Sequence, residues 1–319
     1  MEMLTAIGML IGGFAILLIG GESLVKAAVS LALRWKISPA LIGLTVIAAG
    51  TSAPELFTSI TAALKGANDI ALGNVVGSNI FNLLAILGVA SIIKPNKVQR
   101  RAITIEIPFL LVASISMIVF AYDGLIARFE GGILVTALIG FLYYSFVENK
   151  KGNQEVDGSD EIDNDSLLKN MYWDLGHLFI GFAALLGGAQ LALEGGIELG
   201  TIFGLSERII GVTIISVGTG LPELATSAVA AFRGRNDIAV SNVIGSNLMN
   251  TLAVIGTTSM IRPMPASEKI ITSDCVWMVA GLFIVFPIFF LGRGTVGRSM
   301  GVFLLFGYIS YLGFLISTP

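Results

Sequence analysis

GLTVIAAGTSAPELFTSITAALKGANDIALGNVVGSNIFNLLAILGVASII, residues 43–93, is answered by GVTIISVGTGLPELATSAVAAFRGRNDIAVSNVIGSNLMNTLAVIGTTSMI, residues 211–261. The two stretches align without a gap at an offset of 168, and 28 of their 51 positions are identical. The chain is therefore built from two related halves. Each copy sets one acid, Glu55 or Glu223, in an otherwise apolar segment. Within a membrane such a group is costly unless it meets a partner or an ion.

Working outward, the whole chain is 55% hydrophobic and 13% charged, with a mean hydropathy of +0.86. Soluble domains carry about 25% charged residues. Several nearly uncharged runs reach the ~20 residues that cross a bilayer. These numbers describe an all-α polytopic membrane protein whose first partner is the lipid bilayer, and they exclude a soluble enzyme. No basic tract suggests nucleic acid. Cys275 is the single cysteine, so no intrachain disulfide forms. His177, the single histidine, sits near the start of a span and reads as a helix-end residue. The first apolar run is too long for a cleaved signal peptide and is taken as the first span.

Ten spans can be marked, at about 4–32, 38–64, 69–93, 99–121, 126–147, 173–202, 206–232, 237–261, 270–291 and 296–316. The polar segment ENKKGNQEVDGSDEIDNDSLLKN separates the fifth from the sixth. The expected organisation is thus a first five-helix repeat over 1–147, an acidic linker over 148–170 and a second five-helix repeat over 171–319. Five is odd, so the second repeat enters the membrane with opposite polarity. The two halves are expected to be inverted repeats. With the N-terminus outside, 13 Lys and Arg fall in cytoplasmic loops and 5 in outer loops. The positive-inside rule then places both termini outside and the linker in the cytoplasm. The plasma membrane is the expected location.

GTSAPE (50–55) and GTGLPE (218–223) fall near the middle of their spans. Gly50 and Pro54 both oppose continuous helix, glycine by entropy and proline by removing a donor. A break there frees carbonyls, those of Ala48 and Thr51 or of Ser216 and Thr219, and adds the hydroxyls of Thr51, Ser52 and Thr219. Bare carbonyls are tolerated at that depth only against protein, water or a ligand. In the following spans Asn74, Ser78 and Asn82 lie four residues apart on one helical face, repeated by Asn242, Ser246 and Asn250. Asn79 and Asn247 read as hydrogen-bonding glue between helices. Glu106 and Asp274, a further pair at the same offset, read as interfacial acids, as do Glu22 and Glu194. Brought together, the two motifs make an all-oxygen site without imidazole or thiolate. Such ligands suit hard cations, calcium above all. Two carboxylates balance one divalent ion or two sodium ions.

These paired segments resemble the two alpha-repeats of the cation/calcium antiporter superfamily, and most closely its sodium/calcium exchanger branch of prokaryotic type. The motifs cover about a third of the chain. The resemblance implies alternating access, with the first and sixth helices sliding across the other eight, and transported Ca2+ and Na+ with no cofactor. It carries ion ligation onto Glu55 and Glu223, onto Thr51, Ser52 and Thr219, onto Ser78 and Ser246, onto Asn82 and Asn250, and onto the carbonyls of Ala48 and Ser216. The chain departs from the family in two places. Gly220 stands where a serine is usual, which removes a sodium ligand. Asn250 stands where many relatives have aspartate, which argues against potassium coupling.

Three other functions compete. Calcium/proton exchange at the same glutamates is kept open by Gly220, although the GNxxE type of segment usual in proton-coupled relatives is missing. A passive cation channel would carry calcium downhill without a counter-ion. An intramembrane aspartyl protease would need a GxGD segment, which the sequence lacks. No regulatory calcium-binding domain and no obligate protein partner is evident.

Overall fold

The computed structural model describes residues 2–151, 168–205, 214, 216–291 and 294–317. Helix α1 (Glu2–Trp35) leads into a broken span made of α2 (Pro39–Thr51) and α3 (Ala53–Leu64), bent by 41° at Ser52. There follow α4 (Asn68–Ile93), α5 (Ala102–Ala121) and α6 (Arg128–Lys151). The second half gives α7 (Met171–Ile202), the short α8 (Ser216–Thr219), α9 (Leu221–Phe232), α10 (Asn236–Ile261), α11 (Ile270–Pro287 and onward to Leu291) and α12 (Arg298–Ser317). Eight of these helices are long and apolar enough to cross a bilayer. The expected span 206–232 lies largely outside the described residues before Ser216.

Local chemistry explains the starts and stops. Ser38 caps α2 by accepting the Leu41 N–H at 3.2 Å, and Pro39 occupies the first helical position, where its missing donor costs nothing. The Asn149 amide accepts the Ser38 N–H at 3.1 Å and donates to its hydroxyl at 2.8 Å. Residues 148–151 were expected to open the linker. They instead continue α6, with Asn149 buried against the start of α2. The bulk of the expected linker, 152–167, lies outside the described residues.

Helices α1 and α7 are the longest, and α1 spans about 51 Å at 1.5 Å per residue. They pack along glycines. A Cβ at Gly13 would meet the Ala192 nitrogen at 2.5 Å, and one at Gly20 would meet the Leu185 nitrogen at 2.9 Å. The backbones touch there because no side chain stands between them. At one end Asp174, fully buried, accepts from Ser30 Oγ and from Arg34 Nε, both at 2.6 Å.

Four two-residue strands tie the loops. Strand β1 (Asn96–Lys97) pairs antiparallel with β4 (Thr295–Val296), and β2 (Leu125–Ile126) with β3 (Met264–Pro265). Each pair joins one half of the chain to the other. The final helices do the same. Gly131 of α6 packs on Gly256 of α10, and Gly301 of α12 packs on Gly88 of α4. The matched pairs Gly131/Gly301 and β2/β4 are offset by 170, not 168. The shift arises within α11, which is two residues longer than α5.

Candidate functional site

The broken span turns at Ser52, with φ −81° and ψ 5°, and its counterpart turns at Gly220, with φ −86° and ψ 2°. Pro54 and Pro222 each enter the next helix in its first turn, which brings Glu55 and Glu223 into the first turns of α3 and α9. Both carboxylates are buried, at 1% exposure each. Glu223 Oε1 accepts from Ser52 Oγ at 3.3 Å, and Glu55 Oε1 accepts from Ser78 Oγ at 3.5 Å. The hydroxyls of Thr51 and Ser246 face each other at 3.5 Å. The first two contacts differ in kind: Ser52 reaches the opposite half, whereas Ser78 serves its own.

The polar face of α4 is turned onto α3. Asn74 Nδ2 donates to the Glu55 carbonyl at 3.3 Å and to Ser59 Oγ at 3.1 Å. In the second half Asn242 Nδ2 donates to Ser227 Oγ at 3.0 Å. Farther along the same faces, Asn82 and Asn250 are buried and their amides make no hydrogen bond among the described residues. Glu55 Oε2 and Glu223 Oε2 also have no hydrogen-bond partner among the described residues. Four side chains thus present unpaired oxygens inside the protein. A buried, unsatisfied polar atom costs about 1–3 kcal/mol, more for a charged group. Such atoms persist where something else completes them, and carboxylate and amide oxygens are of the kind a hard cation takes.

Asn82 and Asn250 sit inside single π-helical segments, Phe81–Ile86 and Met249–Val254, whose wider turns re-aim a side chain. These turns carry no sequence signature of their own. Of the other expected ligands, Ser78, Ser246, Thr51 and Ser52 are buried and Thr219 is half-buried. The Ser216 side chain lies outside the described residues. The Ala48 carbonyl was expected to be freed by the break. It accepts the Ser52 N–H at 3.0 Å and Thr51 Oγ1 at 3.4 Å. Pro54 instead removes the donor that would reach the Gly50 carbonyl, four residues back. Phe81, absent from the expected site, packs directly on Gly220. The paired mismatches Ser52/Gly220 and Phe81/Met249 in the repeat were its only trace in the sequence.

The remaining acids lie elsewhere. Glu106 pairs with Arg101 at 3.3 Å, Glu194 accepts from Gln190, and Asp274 is half-buried in the first turns of α11. Glu22 takes a bidentate bond from Arg233 at 2.6 and 2.9 Å. Asn79 Nδ2 donates across the halves to Thr251 Oγ1 at 3.0 Å. The Asn247 amide, expected to play the same part, has no partner among the described residues. His177 is half-buried, its Nδ1 2.9 Å from the Trp173 carbonyl one turn back.

A family model described as sodium/calcium exchanger protein matches residues 5–147 and 173–317. The inner membrane protein YrbG of Escherichia coli is 32% identical over 98% of this chain and 97% of its own. The sodium/calcium exchanger MaX1 of Methanosarcina acetivorans is 30% identical over 94% of this chain and 95% of its own. Solved structures of the sodium-calcium exchanger NCX_Mj superpose with a TM-score of 0.81 at 29% identity, covering 98% of both chains. The match runs through both halves and the whole helix order, so this chain is an integral membrane cation antiporter of the sodium/calcium exchanger family, in its prokaryotic branch.

Proposed function

We propose that the chain exchanges Na+ for Ca2+ by alternating access at a single site formed by Glu55, Glu223, Asn82 and Asn250. The hydroxyls of Thr51, Ser52, Ser78, Thr219 and Ser246 and the backbone carbonyl of Ser216 complete its shell. The observation that carries this reading is the set of buried, unpaired oxygens on four side chains drawn from both halves. Two carboxylates neutralise one divalent ion or two monovalent ions, so either load leaves the site without large net charge. The ten-helix count, the inverted relation of the two repeats and the plasma-membrane location with both termini outside belong to the same proposal. The loop charges and the reversed polarity of an odd repeat support it.

The test is uptake of labelled calcium into proteoliposomes loaded with sodium, with pH clamped on both sides. Sodium-driven uptake is the expected result. Uptake that needs a pH gradient and ignores sodium would replace this reading with calcium/proton exchange, the alternative that Gly220 favours by withdrawing a hydroxyl. Downhill calcium flux with no counter-ion would make the protein a channel.

A further inference from the structure

Ser52 and Gly220 occupy equivalent turns with nearly the same backbone angles, and both φ values are negative. Any residue adopts that conformation, so the turn does not require glycine at 220. What Gly220 makes room for is a ring. A Cβ at 220 would lie 2.6 Å from Cδ1 and 2.7 Å from Cε1 of Phe81. The ring is held in place: Phe81 is 3% exposed and packs at 59° on Tyr308, with centroids 5.2 Å apart. It also begins the π-helical segment that carries Asn82. In the other half the equivalent positions are Ser52, Met249 and, at the offset of 170, Leu138. No ring stands there, and the Ser52 hydroxyl reaches Glu223 at 3.3 Å. The hydroxyl is present where the ring is absent, and the ring where the hydroxyl is absent.

We propose that Phe81 and Gly220 close a monovalent-cation subsite beside Glu55, leaving sodium to bind on the Ser52–Glu223 side, so that Phe81 sets how many sodium ions the site takes. This rests on the sodium/calcium reading above. A sodium ion is held by oxygens. The Cδ1–Cε1 edge turned to Gly220 supplies none, and an aromatic edge bears the positive part of the ring quadrupole. Cation–π attraction needs the face. A calcium ion held between the two carboxylates needs no ligand from position 220, so its binding is insulated from the ring.

Three variants, Gly220→Ser, Phe81→Met with Gly220→Ser, and Met249→Phe with Ser52→Gly, are purified beside the unaltered protein and checked for folding by size-exclusion chromatography. Bound 22Na+ per chain, 45Ca2+ binding, and the sodium dependence of calcium uptake are then measured. Gly220→Ser alone is expected to lose folded protein or transport, because its side chain meets the ring. Adding Phe81→Met restores both and raises bound sodium by about one ion per chain, with a Hill coefficient higher by about one, since an oxygen ligand replaces an aromatic wall. Calcium half-saturation stays within about twofold, under 0.5 kcal/mol. The mirrored double variant, which takes the Ser52 hydroxyl away from Glu223, binds less sodium and loses sodium-driven uptake. A folded, transporting Phe81→Met/Gly220→Ser protein with unchanged sodium count and steepness would overturn the proposal. Absence of sodium-driven uptake in the unaltered protein would remove the sodium reading and this proposal with it, and that outcome is read before any variant is compared.

Discussion

At the scale of single residues, the site is a balance of charge against burial. Glu55 and Glu223 are shielded from water, each holds one oxygen in a hydroxyl bond, and each leaves the other free. Glu55→Gln or Glu223→Gln keeps shape and removes one charge. Calcium sites are tuned over orders of magnitude by ligand charge, so either change should weaken apparent calcium affinity about a hundredfold. Isothermal titration and 45Ca2+ uptake both check this, and wild-type affinity in either variant would remove that glutamate from the site. Asn250→Asp runs the other way: a third carboxylate adds negative charge around the cation, so apparent calcium affinity should rise about tenfold. An unchanged affinity in that variant would place Asn250 outside the ion shell. Most of this chemistry was legible in the sequence, because an acid or amide in an apolar run has few other reasons to be there. Phe81 was not legible, since its meaning lies in what it displaces at Gly220, a contact between positions far apart in the chain.

At the scale of helices, close approach decides geometry. Gly245 of α10 faces the Leu44 carbonyl and the Ala48 side chain of α2, which a Cβ would meet at 2.5 and 2.8 Å. This contact fixes the height of the α10 polar face against the Thr51 hydroxyl. Gly245→Val should therefore destabilise the protein by about 1–3 kcal/mol through overpacking and should impair transport as well. A thermal melt in detergent measures the first effect and calcium flux the second. The spans themselves were plain from the apolar runs, and the break at Ser52 from the glycine and proline around it. The π-helical segments were not, because a single wide turn is chosen by packing against neighbours rather than by any residue preference. Nor was the change of offset to 170, since the last span of each half shares too little sequence to show the register.

At the scale of the whole molecule, α1 and α7 are closely packed as a pair. Their backbones meet at glycines, and Ser30, Arg34 and Asp174 lock one end. Asp174→Ala removes two charge-assisted bonds and should lower stability by roughly 1.5–3 kcal/mol, seen as a fall in melting temperature. Glu22 and Arg233 join this pair to α9 across a surface where both side chains are partly exposed. An exposed ion pair is worth about 0.2–1 kcal/mol, enough to bias the proposed sliding without arresting it. Arg233→Gln should thus change the turnover rate up to about fivefold and blunt its dependence on ionic strength, leaving calcium affinity intact. A rate with the same salt dependence as the wild type would show the pair to be idle. The cross-paired strands and the reciprocal seats of α6 on α10 and α12 on α4 have a consequence for biogenesis. The ribosome delivers the first half with β1, β2 and the Gly88 groove of α4 all lacking the partners that arrive only with the second. The nascent first half must wait in the bilayer, incomplete, and is a target for membrane proteases until synthesis ends. Fragments 1–155 and 156–319 expressed singly should be degraded, and expressed together should accumulate as a complex.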